Sequence, residues 1–301
     1  MIYDYIIIGA GPAGCFCATE LAQKKKKVLI LEKEPKGYRK VCGDGISAIC
    51  TEVLEMMKFP IARFEEAGAV RVHDFYYYDP EHVFHEQHQD TRCGYGLRRD
   101  LTDQVFRSYA SEDYQVPILY EYKAEHIVSE KGVYHVGDYL AKQVILAAGA
   151  MGTVMLNGKS VLNRKEIEMR PIGLSTVLRG RPWKKPYFLF DYGKQFKGTY
   201  GWIFTQGSNC YNVGVWMKED KKRIRDELDL FLQTRVKDWI GLDYEVVEPV
   251  RGAVLGCGEP MEQKAGIYLA GDAGNTCNPN TGEGISKAII SAKRLIQQLE
   301  G

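Results

Sequence analysis

Gly9-Ala10-Gly11-Pro12-Ala13-Gly14 follows the apolar run Ile6-Ile7-Ile8 without a gap, and these residue types at this spacing suit a phosphate. Gly9 permits a tight turn, Gly11 lets backbone approach a pyrophosphate, and Gly14, next to the small Ala13, lets a helix lie close on a strand. The helix opening there offers unpaired N–H groups and a partial positive charge. A second apolar run, Val28-Leu29-Ile30-Leu31, ends at Glu32 and Lys33, about 20 residues downstream, where a carboxylate accepts hydrogen bonds from ribose hydroxyls and disfavours a 2′-phosphate. Near the other end, Gly266–Ala270 leads into a Gly271-Asp272 turn, and Asn278–Gly284 opens a helix over Ile285–Leu299. Its N-terminus suits an anionic group as well. A separate candidate is the thiol of Cys42, followed by Gly43-Asp44-Gly45, a loop whose glycines let backbone lie close to a flat ring.

The elements that must hold these residues follow from periodicity. Ile6–Ile8 and Val28–Leu31 are buried strands, Cys15–Gln23 is a helix, and Lys24–Lys27 is a solvated turn between them. Val144-Ile145-Leu146-Ala147-Ala148-Gly149-Ala150 is a further strand. Ala69–Tyr78, Gly173–Leu178, Tyr187–Phe190, Thr199–Phe204 and Cys210–Trp216 alternate imperfectly and are rich in aromatic residues, which predicts an antiparallel sheet. Trp202 and Phe204 share one face of their strand by the period of two, so with Tyr200 they are the candidates for lining an apolar pocket. Lys218–Trp239 reads as one charged amphipathic helix with Ile224, Leu228, Phe231 and Leu232 on a stripe. The fold expected is α/β: a Rossmann-type nucleotide-binding domain over 1–68, 94–160 and 257–301, interleaved with a β-rich substrate domain over 69–93 and 161–256.

Composition removes several function classes. The chain has 301 residues and a formal charge of +1, so no net field draws it to nucleic acid or an anionic membrane. No apolar run approaches the ~20 residues of a membrane span, and no basic leader precedes the first strand. Eight cysteines without a CxxC, in a chain that starts directly on a strand, point to reduced thiols in a cytoplasmic protein. Cys15 and Cys17 read as small core residues. His82, His85 and His88 would share a face only on a helix, and the neighbouring pattern favours a hairpin, so no metal is expected. Glycine is the surplus, 31 residues, which fits several places of close backbone approach.

Taken together, the motifs resemble the geranylgeranyl reductase-like FAD-dependent oxidoreductases, in the hydroxylase and reductase branch of the glutathione-reductase-like flavoproteins. Lys40-Val41-Cys42-Gly43-Asp44-Gly45-Ile46 looks like that family's K-x-C-G-G/D-G-L/I loop. Tyr200-Gly201-Trp202-Ile203-Phe204 looks like the start of its Y-x-W-x-F-P-x8-G-x-G motif. There Gly214 is in register, Thr205 replaces the proline and Trp216 replaces the last glycine. Thr281-Gly282-Glu283-Gly284-Ile285 matches its TGEGI, and Arg99, Asp103, Phe106 and Ala110 match a helix whose arginine contacts FAD, with Thr102 where an apolar residue is usual. The resemblance implies FAD as cofactor, held at Gly9, Gly11, Ala13, Gly14, Glu32, Lys33, Cys42, Gly43, Arg99, Ala148, Gly149, Asp272, Gly282, Gly284 and Ile285. Asp272 would bond the ribityl chain, and Cys42 would stand beside the substrate face of the flavin. Ala148 replaces an aspartate that hydroxylases keep.

The activity implied is reduction of a carbon–carbon double bond in an apolar, prenyl-like substrate, with Cys42 as the candidate catalytic residue and Tyr200, Trp202 and Phe204 on the substrate. No second GxGxxG follows a strand, and Gly256-Cys257-Gly258 lacks a helix, so electrons are expected from a transient NAD(P)H or a ferredoxin-type carrier. Family members run on beyond the TGEGI helix; a chain ending at Gly301 predicts a pocket that is more open, completed by a partner, or meant for something other than a long lipid, and peripheral membrane contact is compatible with it. The alternatives are a flavin monooxygenase, or a flavin-binding electron-transfer subunit that works with a partner.

Overall fold

The computed structural model describes residues 1–162 and 164–301. By compactness the chain divides into two units, one of Met1–Tyr38, Asp103–Arg170 and Leu255–Gly301, the other of Arg39–Thr102 and Pro171–Val254. Residues 39–68 and 94–102 thus group with the β-rich unit rather than with the nucleotide-binding segments, as do 171–254, while 161–170 and 255–256 group with the first unit. Strand pairing is the reason for the largest of these differences. Gly45–Ile46 and Val70–Val72 both pair with Gly94–Gly96, which makes a small three-stranded sheet inside the second unit.

In the first unit, Ile2–Ile8 lies between two parallel neighbours, Val28–Leu31 and Tyr139–Leu146. The latter also pairs in parallel with Ile267–Leu269, and Val28–Leu31 pairs with Ile118–Leu119. Ile6 and Ile8 join one core cluster with Leu29, Leu31, Val144 and Leu146, while Ile7 is equally buried on the opposite face. A strand covered on both faces reads as a continuous apolar run, which is why Ile6-Ile7-Ile8 carries no alternation. Helices Pro12–Gln23 and Ile285–Glu300 pack on each other. Cys15 and Cys17 are buried in the first of these helices, and burial pushes both thiols well above their ordinary pKa.

The second unit is built on a seven-stranded sheet. Its order is Glu245–Val254, Ile172–Arg179, Cys210–Met217, Gly201–Thr205, Tyr187–Asp191, Asp74–Tyr78 and Phe84–His88. All neighbours are antiparallel except Tyr187–Asp191 with Asp74–Tyr78. Leu189, Ile203, Val213 and Val215 form one face and pack with Ile224, Leu228 and Phe231. The amphipathic segment is shorter and less regular than its pattern predicts. A 3-10 turn over Lys221–Arg223 precedes an α-helix over Ile224–Phe231, and a wider π turn over Leu232–Val236 then rotates the register so that Val236 and Ile240 continue the buried stripe. Val70–Val72 and Asp74–Tyr78 belong to different sheets, so the run Ala69–Tyr78 is two strands, not one. His85 and His88 lie on a hairpin strand, the first stacked on Tyr77 and the second hydrogen-bonded to Asp74.

Candidate functional site

The three glycines of the first turn differ in what they are needed for. Gly9 has φ +107, and a Cβ there would stand 2.5 Å from the Ala147 carbonyl oxygen. At Gly14 a Cβ would stand 1.9 Å from the Gly9 carbonyl oxygen, which is backbone and has nowhere to go. Gly11, the N-cap of helix Pro12–Gln23, has no atom of the described residues beyond its chain neighbours within 4 Å of its would-be Cβ. The protein's own packing therefore requires Gly9 and Gly14 but leaves open space at Gly11, in front of an N-terminus with no side-chain cap.

Glu32 closes this turn from the side. Its side chain is buried, and its two oxygens accept from the N–H groups of Ala10 at 2.7 Å and Glu34 at 3.0 Å. Arg107 completes the corner: its Nε donates to the Ala10 carbonyl at 3.0 Å, and its Nη2 lies 3.8 Å from Glu32 Oε2. The guanidinium also sits over the Tyr120 ring, at 5.6 Å. Beside these residues is a cavity of about 320 Å³, lined among others by Lys36, Gln104, Ser111, Ile118 and Tyr120. Lys33 is exposed and points to Glu34, 3.2 Å away.

The second half of this site comes from the C-terminal segment. Gly271, with φ +63, opens the turn, and a Cβ there would meet the Ala13 methyl at 2.8 Å, so the small Ala13 seats the turn against the first helix. A Cβ on Gly256 would lie 2.4 Å from Asp272 Cβ, so Gly256 is what lets the neighbouring loop back the aspartate. Asp272 Oδ1 lies 3.5 Å from the would-be Cβ of Gly284, the N-cap of helix Ile285–Glu300. Gly282, at φ +64, turns the chain into that helix, and its N–H donates to the Asn278 carbonyl. The hydroxyls of Thr276 and Ser286 are buried here with no hydrogen-bond partner among the described residues, polar atoms of the kind a bound group satisfies. Gly149, at φ +78, and the half-buried Ala148 complete the ring of turns; Ala148 Cα lies 2.9 Å from the would-be Cβ of Gly9.

Arg170 ties this half together. It is buried, donates to the carbonyls of Ala150 and Ala273, and holds Asn275 Oδ1 through Nε at 3.0 Å and Nη2 at 2.5 Å. Burial lowers its pKa from the ordinary value, opposed by the charges of Asp272 and Glu166.

Cys42, Gly43, Arg99, Tyr200, Trp202 and Phe204 belong to the second unit. Arg99 is buried there, and its backbone N–H donates to Asp44 Oδ1 at 2.9 Å. Trp202 and Phe204 do share a face, and both are nearly covered, at 7% and 8% exposure. What covers them is the Cys42 loop: a Cβ on Gly43 would stand 3.3 Å from both rings, and one on Gly45 would stand 3.0 Å from Phe204. Trp202 Nε1 donates to Asn212 Oδ1 at 2.8 Å. Gly214 pairs with Trp202 across the sheet, and a Cβ there would lie 2.3 Å from the indole, so this glycine makes room for the tryptophan. Thr205, where the resemblance has proline, bonds both the N–H and the carbonyl of Tyr187 at 2.9 Å. Trp216, in place of the last glycine, packs edge-on to Tyr200 with ring centroids 5.8 Å apart.

Sequence reasoning did not find Arg107, Arg170 or Asn212, and it read Gly256 only as part of a glycine pair without a following helix. Arg107 stands in the last turn of helix Arg99–Ser108, where a basic residue ordinarily complements the dipole, so its type carried no distinguishing signal.

The sequence profile described as pyridine nucleotide-disulphide oxidoreductase matches residues 3–172. A digeranylgeranylglycerophospholipid reductase of Picrophilus torridus is 25% identical over 97% of this chain and 76% of its own length. A crystal structure of a geranylgeranyl bacteriochlorophyll reductase-like protein from Thermoplasma acidophilum aligns with TM-score 0.77 and 22% identity, over 99% of this chain and 79% of that one. A flavin-dependent brominase aligns with TM-score 0.74 and 17% identity, over 100% of this chain and 80% of its own.

Proposed function

Because the chain belongs to the pyridine nucleotide-disulphide oxidoreductase family, we propose that it binds FAD and reduces a carbon–carbon double bond of a prenyl lipid. The observation that carries the cofactor is the meeting, at one end of a parallel sheet, of the Gly11 N-terminus, the Glu32 carboxylate and the Gly271-Asp272 turn. FAD, when bound, supplies the hydride. Gly11 gives its pyrophosphate room at the helix N-terminus, and Glu32, held by Ala10 and Arg107, faces the ribose. Asp272, which makes no side-chain hydrogen bond among the described residues, takes the ribityl chain, and the Gly284 N-terminus faces the ring end. The cavity beside Arg107 and Tyr120 takes the adenosine end.

The substrate class rests on the curated relatives, among them the Picrophilus torridus reductase, and on the aromatic face of the second unit. There Cys42 orients the prenyl chain and assists delivery of the proton to the second carbon, through a water or neighbour because a thiol is a weak donor. Tyr200, Trp202 and Phe204 form the apolar bed beneath its loop. Electrons come from a nicotinamide nucleotide or a ferredoxin-type carrier. No helix among the described residues is long and apolar enough to cross a membrane.

Acid precipitation of the purified protein should release FAD, and the dithionite-reduced protein should be reoxidised anaerobically by a geranylgeranyl ether phospholipid that gains H2 per double bond. Release of no flavin would overturn the first half. Reoxidation only by O2, with a hydroxylated product, would make it a monooxygenase; reoxidation only by a partner protein would make it an electron-transfer subunit.

A further inference from the structure

Asp44 is an unusual residue to find in the middle of a glycine loop. Its backbone is left-handed, at φ +59, and its side chain has no exposed surface. Five N–H donors converge on its two oxygens. Arg39 binds both, Nη1 to Oδ1 at 3.1 Å and Nη2 to Oδ2 at 2.7 Å. The Arg99 N–H reaches Oδ1 at 2.9 Å, while Gln206 Nε2 and Asn212 Nδ2 reach Oδ2 at 2.6 and 2.8 Å. A carboxylate offers about four lone-pair sites, so this one is saturated, and from inside the protein.

The network leads to the residues that matter for the substrate. Asn212 Nδ2 also donates to the Cys42 carbonyl at 2.8 Å, and Asn212 Oδ1 accepts from Trp202. One amide therefore links Asp44, the backbone of Cys42 and the indole on which the loop rests. Arg39 is held in turn by Glu248, both of whose oxygens lie 2.8 Å from its Nε, and Glu248 by Arg251. Burial works against the Arg39 cation, but the hydrogen bonds and charges of Asp44 and Glu248 outweigh it and raise its pKa. Charge-assisted bonds of this kind, shielded from water, fix geometry more firmly than neutral ones.

We infer that Asp44 is the positioning residue for Cys42: through Asn212 and Arg39 it sets where the backbone that carries the thiol lies, at the edge of the loop that covers Trp202 and Phe204. Asp44 touches no substrate, because no part of its side chain reaches the surface. Its role in turnover rests on the function proposed above, whereas its hold on Cys42 does not. The flanking glycines are consistent with this, since they let the loop descend onto the two rings while the aspartate pins its centre.

The test uses the FAD-bound protein and Asp44→Asn, which keeps the size, removes the charge and puts an NH2 among five donors. Cys42 should be alkylated by iodoacetamide about tenfold faster, as local opening becomes easier. The buried Cys15, Cys17 and Cys50, read in the same digest, should be unchanged. Flavin reduction by dithionite should stay within about twofold of wild type, while reoxidation by a geranylgeranyl ether phospholipid slows about tenfold in kcat with KM nearly constant. Wild-type labelling of Cys42 in Asp44→Asn would overturn the inference, and so would faster labelling with unchanged reoxidation. Should that variant not fold, Asn212→Leu decides in the same way: it leaves the Arg39–Asp44 pair intact and frees the Cys42 carbonyl, so labelling must rise there, more than in Gln206→Leu. If wild type fails to reduce any prenyl lipid, the proposed function fails while the labelling result still judges Asp44.

Discussion

Alanine at Gly11 and at Gly14 should fail in opposite ways. At Gly14 the added methyl would sit 1.9 Å from the Gly9 carbonyl oxygen, where ordinary contact begins at 3.4 Å, so helix and turn must part by about 1.5 Å. Overpacking of that severity belongs at the upper end of the usual range, about 3 kcal/mol. Alanine recovers roughly 1 kcal/mol over glycine inside a helix, which leaves about 2 kcal/mol. With ~2.1 cal/mol/K per residue over 301 residues, Tm of the flavin-free protein should fall by about 3 °C. At Gly11 the methyl meets nothing within 4 Å, and the backbone (φ −81, ψ −177) is open to any residue. The weaker N-cap and the stiffer unfolded chain roughly cancel there, so Tm should move by less than about 1 °C. FAD affinity is another matter: a methyl in the path of the pyrophosphate should raise Kd about 10- to 100-fold, some 1.4–2.8 kcal/mol. Thermal unfolding by circular dichroism and FAD titration by flavin fluorescence read the two effects separately. Wild-type affinity in Gly11→Ala would mean that no phosphate passes over Gly11. An unchanged Tm in Gly14→Ala would mean that the helix is not seated on the turn as described.

Glu32→Ala should weaken FAD binding by about 1.5–3 kcal/mol, since a charged acceptor is lost. It should not alter the preference between NADH and NADPH as donors, and a flipped preference with full FAD occupancy would assign this turn to the nicotinamide nucleotide instead. Cys42→Ala should slow lipid-driven flavin reoxidation by about 10²-fold with donor-driven reduction near wild type, and Cys42→Ser should lose less; equal losses in both half-reactions would point to a displaced flavin. Glu300 is held below its ordinary pKa by its bond to Lys26 and then by the Tyr5 hydroxyl. Its contribution is therefore complete above the unfolded value of about 4.3 and disappears as pH falls through the lower folded value. Glu300→Gln should lower Tm at neutral pH, with the gap closing in acid; a gap independent of pH would remove Glu300 from the pair.

Much of the nucleotide site was legible because its signals are local. A strand, a glycine turn, a helix and a carboxylate at the end of the next strand occupy one continuous stretch, and the steric need for Gly9 and Gly14 arises within that stretch and the strand beside it. The Gly271-Asp272 turn is similarly self-contained. Period two likewise placed Trp202 and Phe204 on one face, because strand geometry alone dictates that. It could not say that residues 42–45 lie on that face, since the chain returns there only after building the rest of the sheet. The same distance hid Arg107 from Ala10, Arg170 from Asn275 and Asp44 from Asn212. A buried charge has no periodicity of its own. Its position is decided by which donors and acceptors tertiary folding brings within about 3 Å, because a charge left in the interior without them costs several kcal/mol. The sequence thus determined a glycine turn between strand and helix, the carboxylate beside it and an aromatic face; tertiary packing alone decided which cation stands at that carboxylate and which loop lies on that face.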